Sequence, residues 1–224
     1  MGDIVRAGRL SWASQTWRSA IRERRIALDW RSAAAFGLPL IIYICTLAPT
    51  IFNLDSAELT TAAATGGITR ATGYPLYLIL GRLWSMIPVG DVGYRMNLFS
   101  AFNGALTIVL AERILRRLGV GPWAALGALG LLACAPYFWA LSLIAEVYTL
   151  HTALMAGLIL ALMRWADQPT ARRLALGGLL GGLSLAHHAM AVLLIPGCVW
   201  YVLAAAPRRA HRSPTWAAPG WMMA

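Results

Sequence analysis

Long apolar runs separated by short basic turns set the pattern of the chain. From about Ala33 to Pro49, Met96 to Ala111, Trp123 to Leu141 and Leu143 to Met163 the sequence carries hardly a charge, which predicts helices that cross a lipid layer. The stretch from Leu174 to Ala206 is too long for one crossing, since at 1.5 Å per residue it would reach about 50 Å. His187, His188 and Pro196 interrupt it, so two legs turning at the histidines are expected. Gly177, Gly178, Gly181 and Gly182 in the first leg let helices approach closely. Six spans result. The run from Tyr74 to Pro88 is apolar but shorter than the roughly 20 residues a crossing takes, and it contains Gly81 and Arg82. It is expected to lie along the surface as an interfacial helix. Residues 1–32 stand apart: Trp17, Ile21 and Leu28 recur at helical spacing between Arg18, Arg22 and Arg25. A basic amphipathic helix on the membrane surface is expected there, too long and irregular for the charged region of a cleaved signal peptide. The expected division is a basic segment over 1–32, a transmembrane domain over 33–206 and a short cytoplasmic tail over 207–224.

Composition narrows the class. Hydrophobic residues make up 59% and charged residues 12%, with mean hydropathy +0.63; a soluble domain carries about twice that charge. All 19 basic residues are arginine and the net charge is +10. In a soluble chain that excess would point to nucleic acid. Here the arginines fall between apolar runs, so membrane lipids are the expected partners and nucleic acid is not. Sixteen arginines lie in 1–32, 113–117, 164–173 and 208–212, and only Arg70, Arg82 and Arg95 fall on the other side of the six-span layout. That asymmetry places the N-terminus in the cytoplasm and the protein in the inner (cytoplasmic) membrane. Trp30, Trp123 and Trp165 then mark the inner interface, and Trp84 and Trp139 the outer one. Cys45, Cys134 and Cys198 lie singly inside apolar runs, which suits neither a disulfide framework nor metal-ligand spacing.

Ionisable residues at membrane depth are costly and mark sites or pathways. The loop expected over Asn53–Pro75, NLDSAELTTAAATGGITRATGYP, carries Asp55 and Glu58, two of only nine acidic residues. Glu146 falls just inside the outer end of the fourth span, after a tight turn expected at Leu141–Leu143. His187 and His188 fall at the outer turn of the last hairpin, and Arg82 and Arg95 flank the interfacial helix. Four segments thus place such groups on one face. Each also has a plain structural explanation. Asp55-Ser56-Ala57-Glu58 fits a helix capping box. Glu146 can pair with Arg95, the histidines can be polar turn residues, and Arg82 can snorkel. Tyr74, Tyr77 and Trp84 fit an aromatic belt.

The ordered motifs DSAEL, GYPLYLILGRLWSMIPVGDVGYRMNLFSA, IAEVYTLH and LAHH resemble a bacterial multi-pass membrane family known as a domain of unknown function, itself similar to the protein O-mannosyltransferases and other GT-C superfamily glycosyltransferases. The resemblance covers about Ile42 to Ala206. It implies an all-α polytopic bundle with an acidic first external loop followed by interfacial helices. It implies a sugar donor on a polyprenyl phosphate and transfer to an acceptor hydroxyl, on a protein or glycan, at the outer face. Asp55 matches the loop carboxylate taken as catalytic base, with Glu58 beside it. Tyr74, Arg82, Arg95, Glu146, Tyr148, His187 and His188 are the expected substrate-binding residues. No cofactor is expected. A divalent cation held by Asp55 and Glu146 is the alternative, set against too few carboxylates for a good cage. Members of the superfamily commonly have more spans and a C-terminal soluble domain, so the chain is expected to be a truncated or minimal version. The rivals are a transporter or flippase module, which would carry its polar groups near mid-bilayer, and a non-catalytic membrane subunit of an envelope complex.

Overall fold

Proline and glycine punctuate the chain, and the helices follow that punctuation. The computed structural model describes residues 29–53, 55–69 and 73–205. Most of the expected amphipathic segment, Arg70 and the tail over 207–224 lie outside them. Helix α1 spans Trp30–Thr46, α2 Asp55–Thr65, α3 Pro75–Ser85, α4 Val92–Arg117 and α5 Pro122–Ala133. After these come α6 (Pro136–Leu143), α7 (Tyr148–Asp167), α8 (Ala171–His187), a 3-10 turn (Ala189–Leu194) and α9 (Ile195–Ala205). Helices α3, α5 and α6 open on proline, which lacks an N–H that would be unpaired there anyway. Asp91 caps α4, accepting from the Tyr94 amide at 2.7 Å, and Thr170 caps α8, accepting from Arg173 at 3.3 Å.

Among the described residues two helices, α4 with 26 residues and α7 with 20, are long and apolar enough to cross a membrane. Helices α5 and α6 qualify together but are bent by 60°. The expected single span over Trp123–Leu141 is therefore a broken one, because Pro136 forces Ala135 out of helical geometry. Helix α1, with 17 residues, and the pair formed by the 3-10 turn and α9 are shorter apolar segments. By length, two or three crossings are evident among the described residues where six were expected. Two further boundaries differ. Leu141–Leu143, expected as a tight turn, ends α6, and the break falls instead at 144–147, so the fourth span begins at Tyr148. The stretch Asn53–Pro75, expected as a loop, is largely the helix α2. The turn at His187–His188 occurs where the polar interruption placed it.

The chain divides within α1, at Ala34–Ala35, into two compact units. In the first, Asp29 accepts from the Ser32 amide at 3.0 Å and caps the start of α1. The second contains α2 to α9. Within it α4 and α7 run side by side in the same direction: Ser100 meets Glu146, Thr107 meets Thr152 at 3.0 Å, and Arg117 pairs with Asp167. Helix α8 returns against α7, with Gly177 beside Leu162 and Gly181 beside Leu158. Close approach requires glycine at two places above all. A Cβ on Gly93 would stand 2.2 Å from the Ile51 nitrogen, and one on Gly104 would stand 2.6 Å from the Ser142 hydroxyl. The core gathers Leu59, Ala63, Tyr77, Met96, Phe99 and Leu150. Tyr77 is wholly buried, Trp165 is buried, and Trp84 packs on Phe99 and Phe102 at 5.4 and 5.2 Å. These three are packing residues, where belt positions were expected.

Candidate functional site

The site is built on the break at 144–147. A backbone that leaves the helix inside an apolar body must find partners for its N–H and C=O groups. Three side chains from α4 and α8 supply them. Asn97, fully buried, accepts from the Ala145 amide at 2.8 Å and donates to the carbonyls of Ala48 and Thr50, both at 2.9 Å. The Ser100 hydroxyl accepts from the Glu146 amide at 3.1 Å. His187 donates from Nε2 to the Val147 carbonyl at 2.9 Å. Glu146 is thereby held, half-buried, where α4, α7 and α8 meet.

Helix α2 brings the other carboxylates. Asp55, exposed, and Glu58, half-buried, occupy its first turn, where the helix dipole favours negative charge. Ser56 and Thr60 point inward from the same helix, and neither hydroxyl has a hydrogen-bond partner. The Ser56 hydroxyl is therefore not the helix cap. Asp55, Glu146, Tyr74 and Tyr137 all lie within electrostatic range of the Tyr148 phenol, and Glu146 also lies within range of Tyr77.

A cluster of rings completes the arrangement. Tyr74, preceding Pro75, is the described non-glycine residue with positive φ, at φ 40° and ψ 53°, directly after Gly73 at φ 69°. Such a conformation costs on the order of 1–3 kcal/mol and persists only where neighbours enforce it. Here the tyrosine ring stacks on His188 at 5.6 Å and 29°. Tyr148 lies 5.8 Å from His188, and His151 lies 4.9 Å from His188 and 6.2 Å from His187. Tyr77 stacks on His187 at 6.4 Å and 23°. Partners assign the neutral tautomers. Because His187 donates through Nε2, its Nδ1 is an acceptor, and that atom is buried with no partner. His188 accepts from the Met190 amide at Nδ1, 3.2 Å, which leaves an N–H at Nε2.

Of the residues expected from sequence, the structure gathers Asp55, Tyr74, Glu146, Tyr148, His187 and His188 at one end of the body. Arg95 instead donates to three backbone carbonyls, those of Val89 at 3.0 Å, Ser85 at 2.8 Å and Gly90 at 2.9 Å, and so clamps the turn between α3 and α4. Arg82 lies on the exposed side of α3, away from its buried face of Tyr77, Gly81 and Ser85. Glu58 sits half-buried in the first turn of α2. Two members were not singled out from the sequence: His151 and, as anything but a belt residue, Tyr77. The spacing of His151 from Tyr148, one helical turn, was the available signal. Among the described residues no group of three or more His, Cys, Asp or Glu side chains is disposed to hold a metal ion.

An apolar groove of about 280 Å³ lies along α7, between α8 and α9. Ser184 and Ala191 line it beside the histidine turn, and Leu158, Leu162, Val199 and Leu203 line its length.

Fold and site together define an all-helical membrane protein whose carboxylates and histidines collect at one end of its bundle. The chain belongs to the family described as the protein O-mannosyl-transferase TMEM260 N-terminal domain, whose model matches residues 55–211. The match begins at Asp55. The chain is also 32% identical over 193 residues to the mouse protein O-mannosyl-transferase TMEM260, an alignment covering 84% of this chain and 26% of the mouse protein. It thus spans about a quarter of the length of that relative. No solved structure matches it.

Proposed function

We propose that the cluster is the donor end of a GT-C-type glycosyltransferase that moves a sugar from a polyprenyl phosphate to an acceptor hydroxyl, on a protein or glycan, at the outer face of the cell's inner membrane. The convergence of Asp55 and Glu146 on Tyr148, next to three histidines and the mouth of an apolar groove, carries this proposal. The groove suits a prenyl chain, and its position beside His187 and His188 would bring the attached phosphate to the polar end. The arginine asymmetry supports an orientation with this end outside the cytoplasm and the N-terminus within it.

The chemistry follows from the groups present. Asp55 takes the proton of the acceptor hydroxyl as its oxygen forms a bond to the anomeric carbon. The bond from that carbon to the phosphate oxygen breaks, and its electron pair leaves on the phosphate. In this scheme the His188 Nε2–H donates to the departing oxygen, a charge-assisted bond stronger than a neutral one; its Nδ1, which accepts from the Met190 amide, supports that tautomer. Glu146, pinned through its backbone, orients the acceptor, and Tyr74 and Tyr148 flank the sugar. No divalent ion enters this scheme. Arg82 and Arg95 are left out of it, the first because it lies on the side of α3 away from Tyr77 and the second because its guanidinium clamps a turn.

Asp55→Asn tests the proposal. It keeps the size and most of the helix-start character, because asparagine caps about as well as aspartate, and removes the base. Release of sugar from a polyprenyl-phosphate donor, measured in membranes carrying the protein, should fall on the order of a hundredfold or more with thermal stability near wild type. A wild-type rate would remove Asp55 from the mechanism.

A further inference from the structure

The opposite end of the body carries a second concentration of charge, which the transfer chemistry does not use. There α4, α7 and α8 bring together six arginines, Arg113, Arg116, Arg117, Arg164, Arg172 and Arg173, with two carboxylates. Glu112 pairs with Arg116 at 2.8 Å, and Asp167 pairs with Arg117. Among the described residues no carboxylate pairs with Arg113, Arg164 or Arg173. Arg164 is half-buried, and its Nε is shut from solvent with no hydrogen-bond partner. Arg113, Arg117 and Arg173 all lie within electrostatic range of it. Arg173 is held in place by its own bonds to the carbonyls of Arg164 at 3.1 Å and Gln168 at 3.4 Å.

Orientation in a membrane asks only that arginines lie near one surface. It does not require three of them to crowd between helices, nor an N–H to be closed off from water. Like charges packed together and an enclosed, unpaired donor both cost free energy. An anion with several oxygens removes both costs at once, and guanidinium matches phosphate geometry. We propose that Arg113, Arg164 and Arg173 form a binding site for a phosphate group, carried by an anionic lipid headgroup or by a free phosphate. Helices α4 and α7, the two long enough to cross the membrane, end at this cluster, which sets it at headgroup depth. Arg117, tied to Asp167, borders the site.

The test uses the purified protein in a neutral detergent, with its thermal midpoint read in the presence of phosphatidylglycerol, phosphatidylcholine, inorganic phosphate, or chloride at matched ionic strength. The midpoint should rise with phosphatidylglycerol or with phosphate and stay level with phosphatidylcholine and chloride. A rise with the lipid alone assigns the site to a headgroup, and a matching rise with inorganic phosphate assigns it to the free anion. In Arg164→Gln and in Arg113→Gln that rise should shrink by half or more. Their midpoints without anion should equal or exceed wild type, because a repulsive charge has gone. Arg172→Gln, on the exposed side of α8, should keep the full response. Should Arg164→Gln fail to fold, Arg113→Gln carries the same comparison. A full response in Arg113→Gln, or no response of the wild type to either phosphate source, overturns the proposal.

Discussion

Asn97→Ala should destabilise the protein more than any other single side-chain truncation on α4. The amide makes three bonds to backbone groups 47 to 49 positions away in sequence, and its own residue is fully buried. Two magnitudes compete. If only three interhelical side-chain bonds are lost, at about 0.6 kcal/mol each in membrane proteins, the cost is roughly 2 kcal/mol. If the backbone is left unpaired, the buried Ala145 amide costs about 1–3 kcal/mol and each of the two partly buried carbonyls about 0.5–1.5. The total then centres near 4 kcal/mol, which is the expected value, because the Asn97 side chain is the partner of the buried Ala145 amide. Asn97→Asp separates bonding from volume: it still accepts from Ala145, but turns acceptor oxygens toward two carbonyls, and should be at least as damaging. Unfolding in mixed micelles at rising dodecyl sulfate fraction, followed by circular dichroism, gives the difference. A loss below about 1 kcal/mol for Asn97→Ala, or tolerance of Asn97→Asp, would refute the idea that this side chain holds the break.

Two other outcomes are expected. Gly93→Ala should lower the unfolding midpoint sharply, since its Cβ would stand 2.2 Å from the Ile51 nitrogen, whereas Gly127→Ala, with nothing within 4 Å, should be neutral or gain up to about 1 kcal/mol of helix propensity; equal effects would show that the α4 start does not press on residue 51. Asp91 accepts from the Thr50 hydroxyl and the Tyr94 amide, and these hold its carboxyl below the ordinary value near 4. Because the folded value is the lower one, its contribution is present above about pH 4 and is lost as pH falls through the depressed value; hydrogen exchange at Tyr94 should quicken there in the wild type and show no such step in Asp91→Asn.

How far the chain could be read in advance follows from the range of each interaction. Helix starts at Pro75, Pro122 and Pro136 and the turn at the histidines rest on local geometry, and they stand in the sequence. The break at 144–147 does not, because only Glu146 in IAEV departs from its apolar neighbours and a lone carboxylate does not reveal that the helix stops. Only Asn97, Ser100 and His187, distant in sequence, reveal why it can leave the helix. Arg95 shows the same limit in reverse. Its charge suggested a phosphate or Glu146, yet carbonyls six and ten residues back capture it. His151 went unnoticed since a lone histidine in an apolar helix is uninformative until the turn at 187–188 folds over it. The arginine turns gave the two ends of the body, but not that three of them would converge.

The break at 144–147 is gripped by its main chain: the bonds described for it end on the Ala145 amide, the Glu146 amide and the Val147 carbonyl. None of these depends on which side chain sits at 146. Position 146 is therefore a socket, in which the main chain fixes where a side chain is presented. A single substitution at 146 can therefore change the group presented there and still leave in place the three bonds that hold the break.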